Sequence, residues 1–240
     1  MKKIYNAVIL AAGLGSRLKS LTLDKPKAMV KYKDKEIISY QIECLREFGI
    51  NKIIIVTGYL SNKLISFIEK RYSDITFATN NEFSSTNSAY SFMYASDKIE
   101  SESYIHINCD ILFSKKILKK LIDSNHENAI CARNDLVLED KMENISIDKK
   151  DKINYMSLKK RSDSKFKGYG LAKISKDSLN NNLNLYNNLD LEIKKKENYF
   201  GLIRNNLDQN DYYIIRSDKY NLAEINSPED LEICLFKNDI

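Results

Sequence analysis

The feature that most narrows the possible folds is a buried-strand run that breaks into glycine, found twice near the start of the chain. Ala7-Val8-Ile9-Leu10-Ala11-Ala12 opens into Gly13-Leu14-Gly15-Ser16-Arg17, and Ile53-Ile54-Ile55-Val56 ends at Gly58. Runs this short and apolar, bounded by glycine, read as strands covered on both faces. We take the first strand as Tyr5 to Leu10. Between the two runs, Glu36 to Phe48 carries Ile37, Ile38, Ile42 and Leu45 at helical spacing, and Gly49 stops it. The alternation continues with a helix from Ser61 to Arg71 (Ser61 as N-cap), a strand from Ile75 to Ala78 and a helix from Asn87 to Ala95. A strand from Tyr104 to Asn108 then ends at Asp110, followed by a helix from Ser114 to Ser124 and a strand from Ala129 to Ala132.

Strand–helix alternation with short loops predicts a doubly wound sheet, and such sheets bind ligands beyond the carboxyl ends of their strands. Gly13 to Arg17, Gly58 and Asp110 all fall there. The second half differs. Ile145–Ile147, Ile153–Leu158 and Tyr169–Ile174 read as antiparallel strands joined by charged turns, before a helical region and a closing strand at Leu222–Ile225. A last helix starts at Pro228, with Ser227 as N-cap and Glu229 and Asp230 in its first turn. With no linker-like stretch, the expectation is one α/β domain over residues 1–240. It is Rossmann-like, with a mixed, mainly parallel sheet flanked by helices and an antiparallel insertion in its second half.

Composition removes several classes of function. Basic residues number 38 and acidic residues 33, spread along the chain with no arginine-rich block, so nucleic-acid binding is not expected. Four scattered cysteines without a CxxC pair, and only two histidines, argue against zinc and for reduced, buried thiols in a cytoplasmic protein. Lys2 and Lys3 before an apolar run imitate a signal peptide, but the run breaks at Gly13, too soon to insert in a membrane. His106 alternates with Ile105 and Ile107, faces the opposite side of the sheet and receives no catalytic role. Nothing in the sequence reports oligomeric state.

The chemistry concentrates in Leu10 to Leu18 and in Lys25-Pro26-Lys27. Small residues after a buried strand let backbone N–H groups approach a polyphosphate. Arg17 offers a planar fork to phosphate oxygens, and Lys27 a point charge for an α-phosphate. The spacing is neither GxGxxG nor a GK[ST] phosphate loop.

Together these stretches resemble the signature of the nucleotidyltransferase superfamily that makes sugar-nucleotides and CDP-activated head groups, enzymes of a glycosyltransferase-A-like fold. The resemblance implies that Leu10, Ala11, Ala12, Gly13, Leu14, Gly15 and Ser16 wrap a nucleotide, with Arg17 and Lys27 assisting transfer. Val56-Thr57-Gly58-Tyr59 resembles the end of the family's second strand and adds Gly58. Asn108-Cys109-Asp110 resembles its metal element, with Cys109 beside the nucleotide and Asp110 on Mg2+. Glu224-Ile225-Asn226-Ser227-Pro228-Glu229-Asp230 resembles the second metal element. Relatives often have aspartates there; Glu224 is the favoured ligand, and Asn226 offers a neutral oxygen or shapes the turn.

Asn80 to Ser91 resembles a segment of cytidylyltransferases acting on phosphocholine and 2-aminoethylphosphonate. That likeness implicates Ser85, Thr86, Asn87 and Ser88 in holding the pyrimidine, with Thr86 alternatively a plain N-cap. Residues 1–132 are then mainly the nucleotide half and 133–240 the acceptor half, where the resemblance suggests Lys159, Tyr169 and Tyr199. The implied reaction moves CMP from CTP to a small phospho- or phosphono-amine and releases pyrophosphate. A sugar 1-phosphate acceptor and a non-catalytic nucleotide-binding domain are the alternatives.

Overall fold

The computed structural model describes residues 6–234 and 236; Tyr5, the expected start of the first strand, lies outside them. Strand β1 (Asn6–Ala11) is buried at all six positions in the middle of the main sheet. Ala7, Ile9 and Ala11 enter one core, whereas Val8, Leu10 and the following Ala12 enter the other, as the two-residue period of a strand requires.

The chain continues through 3-10 turns at Ser16–Thr22 and Lys27–Met29, so the glycine loop feeds a tight turn rather than an α-helix. Next come a small hairpin of β2 (Lys31–Tyr32) and β3 (Lys35–Glu36), then α1 (Ile37–Glu47), β4 (Lys52–Thr57), α2 (Ser61–Glu69) and β5 (Ile75–Thr79). They are followed by α3 (Ser88–Ser96), β6 (Ser103–Asn108), β7 (Ile111–Phe113), α4 (Lys115–Asp123) and β8 (Ala129–Arg133). The second half contains β9 (Asn144–Ile147), β10 (Ile153–Ser157), β11 (Phe166–Ser175), α5 (Lys176–Asn187), α6 (Leu191–Lys196) and α7 (Tyr199–Arg204). It closes with β12 (Tyr213–Ser217), β13 (Leu222–Glu224) and α8 (Pro228–Glu232).

Strands β6, β1, β4 and β5 run parallel. The long β11 is antiparallel to β6, β8 and β9, and β9 forms a hairpin with β10. This is the mixed α/β sheet the sequence predicts. Ile38, Ile42 and Leu45 of α1, Leu64 and Ile68 of α2, and Ile117 and Leu121 of α4 pack on one face. Phe92 of α3, Leu179 of α5, and Phe200 and Ile203 of α7 pack on the other. Burying each such side chain is worth roughly 1.5–3 kcal/mol, so these two layers hold the strand ends in place.

One helix start differs from expectation, and another rules out an alternative. Ser61 is the first residue of α2 and not its N-cap; Leu60 stands at the cap in a left-handed conformation (φ 48°) with no capping side chain. Helix α3 is capped by Asn87, whose Oδ1 accepts from the Ser88 amide at 2.8 Å, and not by Thr86. Helix α8 has the predicted cap: the Ser227 amide donates to Asp230 Oδ2 at 2.7 Å, and the Asp230 amide to Ser227 Oγ at 3.4 Å. Cys44, Cys109 and Cys131 are buried free thiols, whereas Cys234 is free and only partly buried. Among the described residues, no helix is long and apolar enough to cross a membrane.

The short pairing of β13 with β7 bears most directly on the cavity floor. It sets Glu224 opposite Ile111, and the Ile225 amide donates to the Asp110 carbonyl at 2.8 Å. Two acidic residues far apart in sequence are thereby joined by one strand contact.

Candidate functional site

A cavity of about 360 Å³ opens beyond the carboxyl ends of β1 and β6. One wall is the glycine loop, with Leu10, Ala12, Gly13, Leu14, Gly15, Ser16 and the exposed Arg17. Gly13 leaves open space where a side chain would begin. Gly15 sits at φ 65°, and a Cβ there would come within 2.9 Å of the Lys27 Cβ. Its carbonyl accepts from the Leu18 amide and from Thr22 Oγ1, both at 3.0 Å, which pins the turn. Ala11 is buried in the core rather than on the wall. Gly58 also stands behind the wall. A Cβ on it would fall 2.6 Å from the Ala12 carbonyl oxygen, which accepts from the Tyr59 amide at 3.0 Å.

The facing wall contains Phe83, Thr86, Asn87, Ser88 and Ser91. Fully buried Asn80 organises it: Nδ2 donates to Thr86 Oγ1 and Ser91 Oγ, each at 3.0 Å, and Oδ1 accepts from the Glu82 amide at 2.8 Å. Thr86 in turn donates to the Glu82 carbonyl at 2.8 Å. Asn87 ties α3 to the end of α6, donating from Nδ2 to the Lys196 carbonyl at 3.0 Å. Ser85 is exposed and bonds Glu82, off the cavity wall. Phe83, Ser91 and Asn108 were missed by sequence reasoning. Phe83 did carry a signal, as the only aromatic residue in the polar stretch from Asn80 to Asn87.

At the floor, Cys109 and Asp110 meet Lys27. Lys27 is only 8% exposed, and its Nζ lies 2.6 Å from Asp110 Oδ2 and 2.9 Å from Asn226 Oδ1. Glu224 is paired separately, its Oε2 2.7 Å from Lys167 Nζ. Burial pushes the Asp110 carboxyl above its usual range, with Lys27 opposing. Burial acts the same way on Glu224, but Lys167 and the Asn226 amide together bring it below the usual range. The other oxygen of Asp110, Oδ1, is buried without a hydrogen-bond partner among the described residues.

Beyond this floor lie paired charges that the sequence did not single out. Lys167 and Arg133 are opposite one another on β11 and β8, and both cations lie over the Tyr169 ring, at 4.6 and 5.6 Å from its centre. Tyr169 is buried but stands beside this pair. Arg204 grips Glu143 at 2.6 and 2.7 Å. Two suggested acceptor residues lie elsewhere. Tyr199 is 1% exposed, stacked on His106 at 3.8 Å and bonded to the Tyr104 hydroxyl, because α7 turns it into the core. Lys159 is exposed in a turn, its amide donating to Ser157 Oγ at 3.1 Å and its carbonyl accepting from Tyr155.

Asp110, Glu224 and Asn226 offer only oxygens, the donor type a hard divalent cation such as Mg2+ takes. Asp110 Oδ1 is available for that purpose. Among the described residues, no group of three or more His, Cys, Asp or Glu side chains gathers as a metal site. The residues therefore fit an ion that completes its shell from substrate phosphates and water.

Against known proteins, the nucleotidyl transferase family profile matches residues 6–181. The CTP:phosphoglutamine cytidylyltransferase of Campylobacter jejuni is 42% identical over 130 residues, covering 52% of this chain and 51% of that protein. The choline-phosphate cytidylyltransferase of Streptococcus pneumoniae is 36% identical over 120 residues, 50% of this chain and 51% of the relative. The chain thus spans about half the length of each of these relatives. The inositol-1-phosphate CTP transferase of T. maritima superposes with a TM-score of 0.79 over 98% of this chain and 96% of that one, and at 19% identity the likeness is one of fold. The profile covers the glycine loop, Lys27, the Asn80–Ser91 wall and Asp110, and on that match the chain belongs to the nucleotidyl transferase family.

Proposed function

We propose that this chain is a CTP-dependent cytidylyltransferase that moves CMP to a small phospho- or phosphono-amine and releases pyrophosphate. The observation that carries the reading is the junction of the glycine loop with Lys27 and Asp110 at one end of a single cavity. A triphosphate laid along Gly13 to Arg17 meets backbone amides and the Arg17 guanidinium, and its α-phosphorus lies toward Lys27. An oxygen of the acceptor attacks that phosphorus, the bond to the β-phosphate oxygen breaks, and pyrophosphate carries away the negative charge. No covalent enzyme intermediate is required, so catalysis is in-line positioning plus charge stabilisation.

Asp110, with Glu224 and the Asn226 carbonyl oxygen, would hold Mg2+, which when bound offsets charge on the phosphates. Lys27 neutralises the α-phosphate as bonds exchange. Phe83 offers an apolar face to the base, and Thr86, Asn87 and Ser88 line the wall beside its polar edge. Preference for cytidine is supported by the two cytidylyltransferase relatives. On the acceptor side, Lys167 and Arg133 suit a phosphate or phosphonate, and Glu143 adds a carboxylate for an ammonium group.

Pyrophosphate release over four nucleoside triphosphates and a panel of acceptors tests the reading. Turnover with CTP and an amine-bearing phosphate or phosphonate is expected. Turnover only with UTP or dTTP and a hexose 1-phosphate would replace it with a sugar-nucleotide enzyme. Binding of CTP without product under any acceptor would leave a nucleotide-binding domain.

A further inference from the structure

We propose that Asn108 is a further nucleotide-binding residue and that the buried His106 positions it, fixing which end of the Asn108 amide faces the cavity. The inference rests on reading this cavity as the nucleotide site.

His106 is fully buried on β6, stacked on Tyr199 with 3.8 Å between ring centres and 8° between planes, and meets the edge of Phe200 at 5.7 Å. Its Nε2 lies 3.0 Å from Asn108 Oδ1. Its Nδ1 is buried with no hydrogen-bond partner among the described residues. A proton on Nδ1 would be a buried donor without an acceptor, so the ring keeps its proton on Nε2 and donates it to Asn108 Oδ1. Burial also keeps the ring neutral, pushing its pKa down to about 3.

With Oδ1 engaged, the free end of the Asn108 amide is Nδ2. It lies over Gly170, where a Cβ would come within 2.3 Å of it, so any larger residue there would evict the amide. The Asn108 backbone is fixed as well. Its carbonyl accepts from Gln41 Nε2 at 3.0 Å, and the next amide donates to the Leu10 carbonyl at 3.1 Å. Asn108 lines the cavity, and the part of its amide that the histidine leaves uncommitted is a pair of N–H donors. A nucleoside triphosphate offers them phosphoryl and hydroxyl oxygens, which accept. A flipped amide would present an oxygen to those same oxygens and repel the phosphates. His106 touches no ligand in this scheme and acts through Asn108.

The test is CTP binding by titration calorimetry to wild type, Asn108→Ala, Asn108→Asp, His106→Phe and the His106→Phe/Asn108→Ala double variant. Asn108→Ala should weaken CTP about tenfold, Asn108→Asp more, and His106→Phe roughly three- to tenfold. In the Asn108→Ala background His106→Phe should add no further loss, because its effect passes through that amide. Ring 15N shifts of His106 in the wild-type protein should report the Nε2–H tautomer, unchanged from about pH 5 to about pH 8. Unchanged CTP affinity in Asn108→Ala, an equal His106→Phe loss in both backgrounds, or an Nδ1–H tautomer would each overturn the proposal. If His106→Phe does not fold, the Asn108 variants and the wild-type spectrum decide. A wild-type protein that binds no nucleoside triphosphate sinks the nucleotide reading itself, whereas wild-type binding matched by Asn108→Ala sinks only this inference.

Discussion

Along residues 12–17 the protein builds a cavity wall largely of main chain and glycine, whereas beyond the cavity floor, toward β11 and β13, it sets a second wall of charged side chains drawn from distant segments. The first wall is held through its carbonyls, that of Gly15 by a local turn to Leu18 and Thr22 and that of Ala12 by the Tyr59 amide after β4. The second is held by ion pairs, Lys27 with Asp110, Lys167 with Glu224, and Arg204 with Glu143. A backbone wall offers fixed N–H dipoles to any polyphosphate. An ion-pair wall can exchange partners when an anionic ligand or a cation enters. In the proposed reaction this difference gives nucleotide affinity to the loop, and both acceptor choice and transfer to the charged side.

The largest effect tests the junction of the two walls. Asp110→Ala should reduce turnover by about 10²–10³-fold, the scale of losing one preorganised electrostatic group in an active site. Pyrophosphate release measures it, and a variant within a few-fold of wild type would remove Asp110 from the chemistry. Next is the backbone wall. Gly58→Ala drives a Cβ into the Ala12 carbonyl and should raise the nucleotide KM about tenfold, at a stability cost of about 1–3 kcal/mol. Steady-state kinetics and urea unfolding follow the two effects separately. An unchanged nucleotide KM would mean that the loop is not held from behind.

Lys167→Met addresses the charged wall alone. It should raise the acceptor KM by about tenfold, the loss of one charge-assisted contact, while the nucleotide KM stays within about twofold. Equal changes in both constants would erase the division between the walls.

A further effect, on acid stability, lies in the core beside Asn108, at His106. Its pKa is about 3 in the folded protein against an ordinary histidine value of 6.5. Below 6.5 the unfolded chain therefore binds a proton that the native state refuses. Stability from this residue is present above that pH and falls as pH drops toward 3, by at most about 1.4 kcal/mol per unit. Urea midpoints measured from about pH 7 to about pH 4 should fall more steeply for wild type than for His106→Phe. Parallel slopes would place the acid sensitivity elsewhere.

The two walls also differ in how far the sequence discloses them. The loop is legible because its small residues stand in one short string after a buried strand, Asp110 because it ends another strand, and Lys27 because Lys25-Pro26-Lys27 resembles the family signature. The capping of α8 is legible locally as well. At α3, Thr86 and Asn87 both have cap chemistry, and only the geometry gives the cap to Asn87. At α2 nothing local reveals that Leu60 takes a left-handed conformation ahead of Ser61. Arg133, Lys167, Glu143 and Arg204 are single charges in the sequence, brought together only by β11 pairing with β8 and by α7 packing nearby. Tyr199 failed as an acceptor residue because α7 turns its ring against His106, an orientation set by tertiary packing.

The central claim is that the glycine loop, Lys27 and Asp110 enclose one nucleoside triphosphate. A crystal structure with CTP and Mg2+ addresses it most directly. Phosphates are expected along Gly13 to Arg17, the α-phosphate beside Lys27, the ion on Asp110 and the base between Phe83 and the start of α3. A nucleotide bound elsewhere, with Lys27 and Asp110 untouched, would contradict it.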